Sequence, residues 1–251
     1  MLIELNSIDS RIDTDRNGIT FFVPCLDEEN NIKNTLEAIK GAVKKVKIDY
    51  EILIFDDNSN DNTLEEIRNY CKNNRDVDVK LILNPITMGL GRNYVDGSYI
   101  SQYRYYVCIF GGNSEPENTI VSLLESLGKA DIIIPNYDIS SRTLLRRMFS
   151  TSFTFLVNFI SGNSIKYYNW SVVHLKKNVM RWHSDTNGFA YQAEIITKLI
   201  QNDCTYIELT LKNSDEHKGS SNAFRIQNIL SVLHSLGQIF LRRLRKSIFN
   251  V

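Results

Sequence analysis

Tyr50-Glu51-Ile52-Leu53-Ile54-Phe55 runs straight into Asp56-Asp57-Asn58-Ser59-Asn60-Asp61-Asn62-Thr63, and this change of character decides the fold. A short apolar run rich in β-formers reads as a strand buried on both faces. The polar residues after it read as a turn cluster, since Asn, Asp and Ser bond their own backbone. Leu64, Ile67 and Cys71 then fall on one face of a helix. The same rhythm extends outward. Ile19 to Cys25 is an apolar strand followed by Asp27-Glu28-Glu29-Asn30 and by Ile32, Leu36, Ile39 and Val43 at helical spacing. Val79 to Leu83 is a strand, Gly89-Leu90-Gly91 a turn, and 92–102 a helix. Tyr105 to Phe110 is a strand, Gly111-Gly112-Asn113 a turn, and Pro116 opens a helix carrying Ile120, Leu123, Leu124 and Leu127. Asp131 to Pro135 is a fifth strand.

Strands alternating with helices in this way predict an α/β domain on a mostly parallel sheet. In such sheets ligands sit at the carboxyl ends of the strands. The polar clusters at 25–30, 56–63, 84–92 and 111–117 all fall there, which is a positional reason to read them as one site.

From about residue 140 the pattern changes. Residues 142–160 read as a helix with Arg142, Arg146 and Arg147 near its start, and 163–175 as strand and loop rich in Tyr and Trp. Residues 188–202 read as a helix and Thr205 to Lys212 as a strand. A long C-terminal helix places Ile226, Ile229, Leu230, Leu233, Phe240, Leu241 and Leu244 on one face. The division expected is 1–139 and 140–251, two halves of one continuous domain.

The 251 residues hold 29 Lys+Arg and 29 Asp+Glu. Neutrality argues against a dedicated nucleic-acid binder. It conceals an asymmetry: residues 1–125 hold 13 basic and 21 acidic residues, and the rest hold 16 and 8. Cys25, Cys71, Cys108 and Cys204 form no CxxC pair, so reduced thiols in a cytoplasmic protein are expected. The four histidines lack metal-ligand spacing. No secretory signal or membrane-length apolar run is present.

The sequence resembles the family 2 glycosyltransferases, which have the GT-A fold. VPCLDEENNI at 23–32 resembles that family's IPxYNEExNI opening, and IFDDNSNDNT at 54–63 its VDDGSxDGT segment. NPITMGLGRNYVDG at 84–97 resembles the NxGxGxAxxxG segment of the polyprenyl-phosphate branch, which includes the dolichyl-phosphate mannose synthases. NGFAYQAEII and HKGSSNAFRIQNI resemble that branch's later motifs. The resemblance implies a three-layer GT-A sandwich with a C-terminal amphipathic helix. It implies transfer of sugar, with inversion, from a nucleotide-diphosphate sugar to a polyprenyl-phosphate or glycan acceptor. Pro24, Asp27 and Glu28 would line the nucleoside pocket, Asp56 would face the base and Asp57 the ribose. Gly89 and Gly91 would let the backbone pass close to the donor.

The family's DxD motif, which holds Mg²⁺ or Mn²⁺ against the diphosphate, has no aspartate here: the segment reads Cys108-Ile109-Phe110-Gly111-Gly112-Asn113-Ser114-Glu115. Three readings are open. Asn113 and Glu115 could rebuild a metal site from oxygen donors. Cations such as Lys218, or one of Arg142, Arg146 and Arg147, could neutralise the leaving group. Or the chain is a non-catalytic sugar-nucleotide or glycan-binding protein on the same fold. A hydroxyl acceptor would need a general base, for which Glu194 and Asp185 are the candidates, whereas a phosphate acceptor would need none. His217, Lys218 and Ser220 form a loop able to bind phosphate. Trp170, Tyr167 and Tyr168 either stack on a sugar or fill the core. The Arg-rich end of the C-terminal helix either lies on the cytoplasmic face of a membrane or packs in a homodimer.

Overall fold

The structure, a computed structural model, describes residues 2–5, 16–137, 143–184, 186–188, 190–211 and 226–249. Among these residues eight strands form one sheet. They are β1 (Leu2–Leu5), β2 (Arg16–Cys25), β3 (Tyr50–Asp56), β4 (Val79–Leu83), β5 (Tyr103–Cys108), β6 (Ile132–Tyr137), β7 (Val173–Leu175) and β8 (Tyr206–Leu211). The helices are α1 (Ile32–Val46), α2 (Thr63–Asn73), α3 (Leu90–Ile100), α4 (Glu117–Leu124), α5 (Leu144–Ser161), α6 (Lys176–Arg181), α7 (Tyr191–Gln201) and α8 (Ile226–Phe249).

The strand order is β1-β4-β3-β2-β5-β7-β6-β8. Every pairing is parallel except those of β7 with β5 and β6. Short crossovers through α1, α2 and α3 build the parallel half, as βαβ connections require. The reversal at β7 matters for the site. Because β7 runs backwards, the residues preceding it reach the carboxyl edge of the other strands.

Side-chain alternation splits the core into two layers. On one face Phe21, Ile52, Ile54 and Val107 meet Leu36 and Ile39 of α1, Ile67 of α2, and Ile120 and Leu123 of α4. On the other, Phe22, Leu53, Phe55 and Tyr106 meet Tyr94 of α3, Val157 of α5, Ile195 and Ile196 of α7, and Leu236 and Ile239 of α8. Each fully buried side chain of this size contributes about 1.5–3 kcal/mol. The result is the α/β three-layer arrangement expected. Cys25, Cys71 and Cys108 are buried free thiols.

Two elements escape the sequence reading. The four-residue β1 pairs with β4 and extends the sheet by one strand. The single-turn-and-a-half α6 follows β7 directly, in a stretch to which the sequence assigns no element. Tyr168 and Trp170 are core residues, which decides between the two roles open to them. The Tyr168 hydroxyl donates to Asn158 Oδ1 at 2.7 Å, and burial pushes its pKa up to about 12. Among the described residues no helix is long and apolar enough to cross a membrane.

Candidate functional site

β2 and β3 end side by side, with Pro24 opposite Phe55 and Cys25 opposite Asp56. Beyond them the two loops are sewn together. Asp27 N donates to Ser59 Oγ (3.0 Å), and Asn60 N returns a bond to Asp27 Oδ1 (2.8 Å). Glu28 N donates to Thr63 Oγ1 (2.7 Å) and Glu29 N to Asp61 Oδ2 (3.0 Å). Glu29 Oε2 accepts from the backbone and side-chain amides of Asn62. Asp27 and Asn58 hold positive φ values of 60° and 68°, a region that Asp and Asn tolerate better than most residues. Most of the acidic character of this cluster therefore serves loop closure. Burial acts to raise the Asp61 carboxyl, but the bonds from Thr63 and the Glu29 N–H outweigh it and hold the group below its ordinary pKa.

Asp56 is different. It stands at the tip of β3, 6% exposed. Its Oδ2 accepts from Ser59 N at 3.4 Å, while Oδ1 is buried with no hydrogen-bond partner among the described residues. Burial raises its pKa, against the lowering effect of Ser59. An unsatisfied buried acceptor costs about 1–3 kcal/mol, more when charged. The arrangement leaves one carboxylate oxygen at the strand tip without a donor from the described residues, one residue along the sheet edge from the Pro24–Phe55 pair.

Asp57, also 6% exposed, is spent on its own chain. Oδ1 accepts from Asn84 Nδ2 (2.7 Å) and Met88 N (2.8 Å), and Oδ2 from Gly89 N (3.0 Å). It fixes the loop between β4 and α3 where a ribose ligand was expected. Gly89, at φ 94°, then caps α3.

What comes close to Gly89 and Gly91 is protein backbone, where a bound donor was expected. Gly91 N donates to Asn187 O at 3.0 Å. A Cβ on Gly91 would collide with the Thr186 carbonyl, and one on Gly89 would lie 2.7 Å from Asn187 O. The segment after α6 thus docks on the α3 turn. It is held from behind by Ser231 of α8, whose hydroxyl bonds Thr186 Oγ1, and by Glu194, which accepts from Ser184 Oγ at 2.8 Å. Glu194 is fully buried at the start of α7. With no exposed surface and one oxygen bonded to Ser184, it anchors this segment. Asp185, His217, Lys218, Ser220 and Arg142 lie outside the described residues.

The turn after β5 carries a correction. Glu115 is 1% exposed. Its Oε2 accepts from Phe110 N (3.3 Å) and Ser114 Oγ (2.9 Å), and its Oε1 from Ser171 Oγ, which lies on the segment leading into β7. The carboxylate points inward and closes the turn, so it does not fit a metal site with Asn113. Asn113 is exposed, at φ 56°, with its N–H donated to Thr35 Oγ1 at 2.9 Å. Among the described residues no group of three His, Cys, Asp or Glu could hold a metal ion.

The glycines of this turn have a purpose that spacing alone did not reveal. The Glu28 carboxylate lies 3.1–3.2 Å from where a Cβ on Gly112 would stand. A Cβ on Gly111 would press on Pro24 O and Cys25 Sγ, at 2.8 and 2.9 Å. Gly111 and Gly112 make room for Glu28, whose pKa burial raises against a 3.1 Å bond from Asn31 Nδ2. A side chain at either position, aspartate included, would displace that carboxylate or the β2 loop.

Residues 20–185 match the family model described as Glycosyl transferase family 2. A poly-beta-1,6-N-acetyl-D-glucosamine synthase of Staphylococcus epidermidis is 29% identical over 92 residues, 37% of this chain and 21% of that protein. The dolichol-phosphate mannosyltransferase of Saccharomyces cerevisiae is 29% identical over 106 residues, 42% of this chain and 39% of that protein. The matches therefore span well under half the length of either relative. Among solved structures, glucosyl-3-phosphoglycerate synthase of Mycobacterium tuberculosis, in complex with Mn²⁺, UDP and phosphoglyceric acid, superposes with a TM-score of 0.69 at 14% identity. The superposition covers 88% of this chain and 79% of that one. At that identity the likeness concerns the fold, which is that of the GT-A glycosyltransferases.

Proposed function

Since the chain belongs to glycosyl transferase family 2, we propose that it moves a sugar, with inversion, from a nucleotide-diphosphate sugar to a phosphate-bearing acceptor, a polyprenyl phosphate in the reading we favour. The observation that carries the donor half is the buried Oδ1 of Asp56 at the carboxyl edge of the sheet, which has no partner among the described residues. A nucleobase N–H fits it as donor, with Pro24 as an apolar wall. Asp57 acts one step back, setting the Gly89 turn beside the base. Glu28, over Gly112, shapes the floor beneath the sugar diphosphate.

The acceptor half rests on Glu194. Its burial supports a nucleophile that is already an anion, since a phosphate oxygen needs no base to attack the anomeric carbon. The bond from that oxygen to carbon forms as the bond to the nucleoside diphosphate breaks, and the leaving group departs as the anion. The relationship to dolichol-phosphate mannosyltransferase supports the same class of acceptor. Related structures hold Mn²⁺ or Mg²⁺ with UDP, but the inward Glu115 does not fit that role here. Lys218 or Arg142 is proposed to neutralise the leaving diphosphate.

Nucleoside diphosphate release from a panel of UDP- and GDP-sugars tests this, with polyprenyl phosphate or glycan acceptors and with or without EDTA. Turnover dependent on polyprenyl phosphate and insensitive to EDTA is expected. Donor binding without turnover for any acceptor would favour the second reading, a sugar-nucleotide-binding protein, for which the missing aspartates speak.

A further inference from the structure

α5 and α8 pack against each other, and each is apolar on two sides. α8 buries Ser235, Leu236 and Ile239. Its position is fixed by cations that cap neighbouring helices: Arg243 Nη1 donates to Phe159 O and Ile160 O at the end of α5, and Lys246 Nζ to Gln201 O at the end of α7. Cations suit those carbonyls, which lie at the negative end of the helix dipole. With that side committed, Leu233, Phe240, Leu244 and Ile248 form a second stripe that stays exposed. α5 buries Thr154 and Val157. It exposes Leu145, Met148, Phe155, Leu156 and Phe159, the last at 73%. Phe155 and Phe159 stack in the open, 6.3 Å between ring centroids. Monomers rarely expose contiguous apolar patches larger than roughly a few hundred Å² without a use for them.

Charge decides what covers this face. α5 carries Arg146 and Arg147 and α8 carries the exposed Arg245, while Arg242, Arg243 and Lys246 reach back to Thr197, to Phe159 and Ile160, and to Gln201; neither helix contains an acidic residue. A twofold contact with a second copy would set these cations against themselves. An apolar stripe flanked by basic residues alone matches an anionic lipid surface, where the apolar side chains enter the acyl boundary and the cations meet headgroup phosphates. We infer that the α5–α8 face docks on an anionic bilayer surface, with Phe155 and Phe159 as its apolar anchors.

The docking face is independent of the donor site, so vesicle binding can be measured without any donor or acceptor. The full chain is mixed with vesicles of phosphatidylcholine alone or with added phosphatidylglycerol, and the bound fraction is read by sedimentation. Binding to the anionic vesicles, weakened by salt, is expected. Arg146→Gln and Arg147→Gln should each reduce partitioning by about fivefold. Phe155→Ser with Phe159→Ser should reduce it further at unchanged melting temperature, because both rings are exposed. No binding at low salt, equal binding to both vesicles, or variants that bind like the parent would overturn the inference. So would a dimer in solution that Phe155→Ser with Phe159→Ser dissociates, which would assign the face to a second copy.

Discussion

Asp56 and His174 are buried titratable side chains whose environments push in opposite directions on stability. Asp56 has a raised pKa, mainly through burial. A raised carboxylate contributes stability that is complete below its unfolded pKa and lost as pH rises through the folded one. Asp56→Asn should therefore raise the melting temperature of the ligand-free protein at neutral pH and lose that advantage in acid, because the amide carries no charge to bury. His174, on β7, is fully buried, with Nε2 2.9 Å from Gln192 Oε1. Burial pushes its pKa down to about 4 from 6.5, against the pull of Gln192. The folded state then holds fewer protons than the unfolded one between those values. Its contribution is complete above pH 6.5 and falls away as pH drops to about 4, by about 3 kcal/mol. Urea unfolding of the parent and of His174→Gln across that range should show the slope in the parent and its reduction in the variant. Parallel profiles would remove His174 from the account.

At the scale of elements, the alternating strands and helices of the first half were legible because β2 to β5 are continuous apolar runs and their helices keep one apolar face. β1 was not, since four residues carry no period of their own and gain a partner only from β4. Most of the candidate nucleoside residues were legible as a cluster, but their division of labour was not. Asp56 and Asp57 are adjacent and identical in kind, yet one keeps to the tip of β3 with Ser59 as its partner and the other turns to Asn84, Met88 and Gly89. The burial of Glu194 and Glu115 was equally hidden, because each accepts from a serine on another segment, Ser184 or Ser171. Gly91→Ala tests the docking of the Thr186–Asn187 segment. The new methyl collides with the Thr186 carbonyl, a backbone atom held by its neighbours, so a loss of about 1–3 kcal/mol is expected. Turnover should fall as well. An unaltered melting temperature and rate would show the segment to be loosely held. Ser171→Ala should loosen the β5 turn through Glu115, at a cost of about 1–3 kcal/mol for the exposed demand of a buried carboxylate.

For the whole molecule, the zero net charge resolves into two working halves. The acidic half holds the loops sewn by Asp27, Glu29 and Asp61 and the buried Oδ1 of Asp56. The basic half holds α5 and α8, where cations cap helices and rim an apolar face. The central claim is that Asp56 Oδ1 reads a nucleobase. Titration calorimetry of UDP and GDP against the parent chain and Asp56→Asn tests it most directly. The account predicts binding of one nucleotide by the parent and a loss of about tenfold or more in affinity in the variant, the size of a hydrogen bond to a charged group. Equal affinity in parent and variant, or binding of neither nucleotide by the parent, would contradict it.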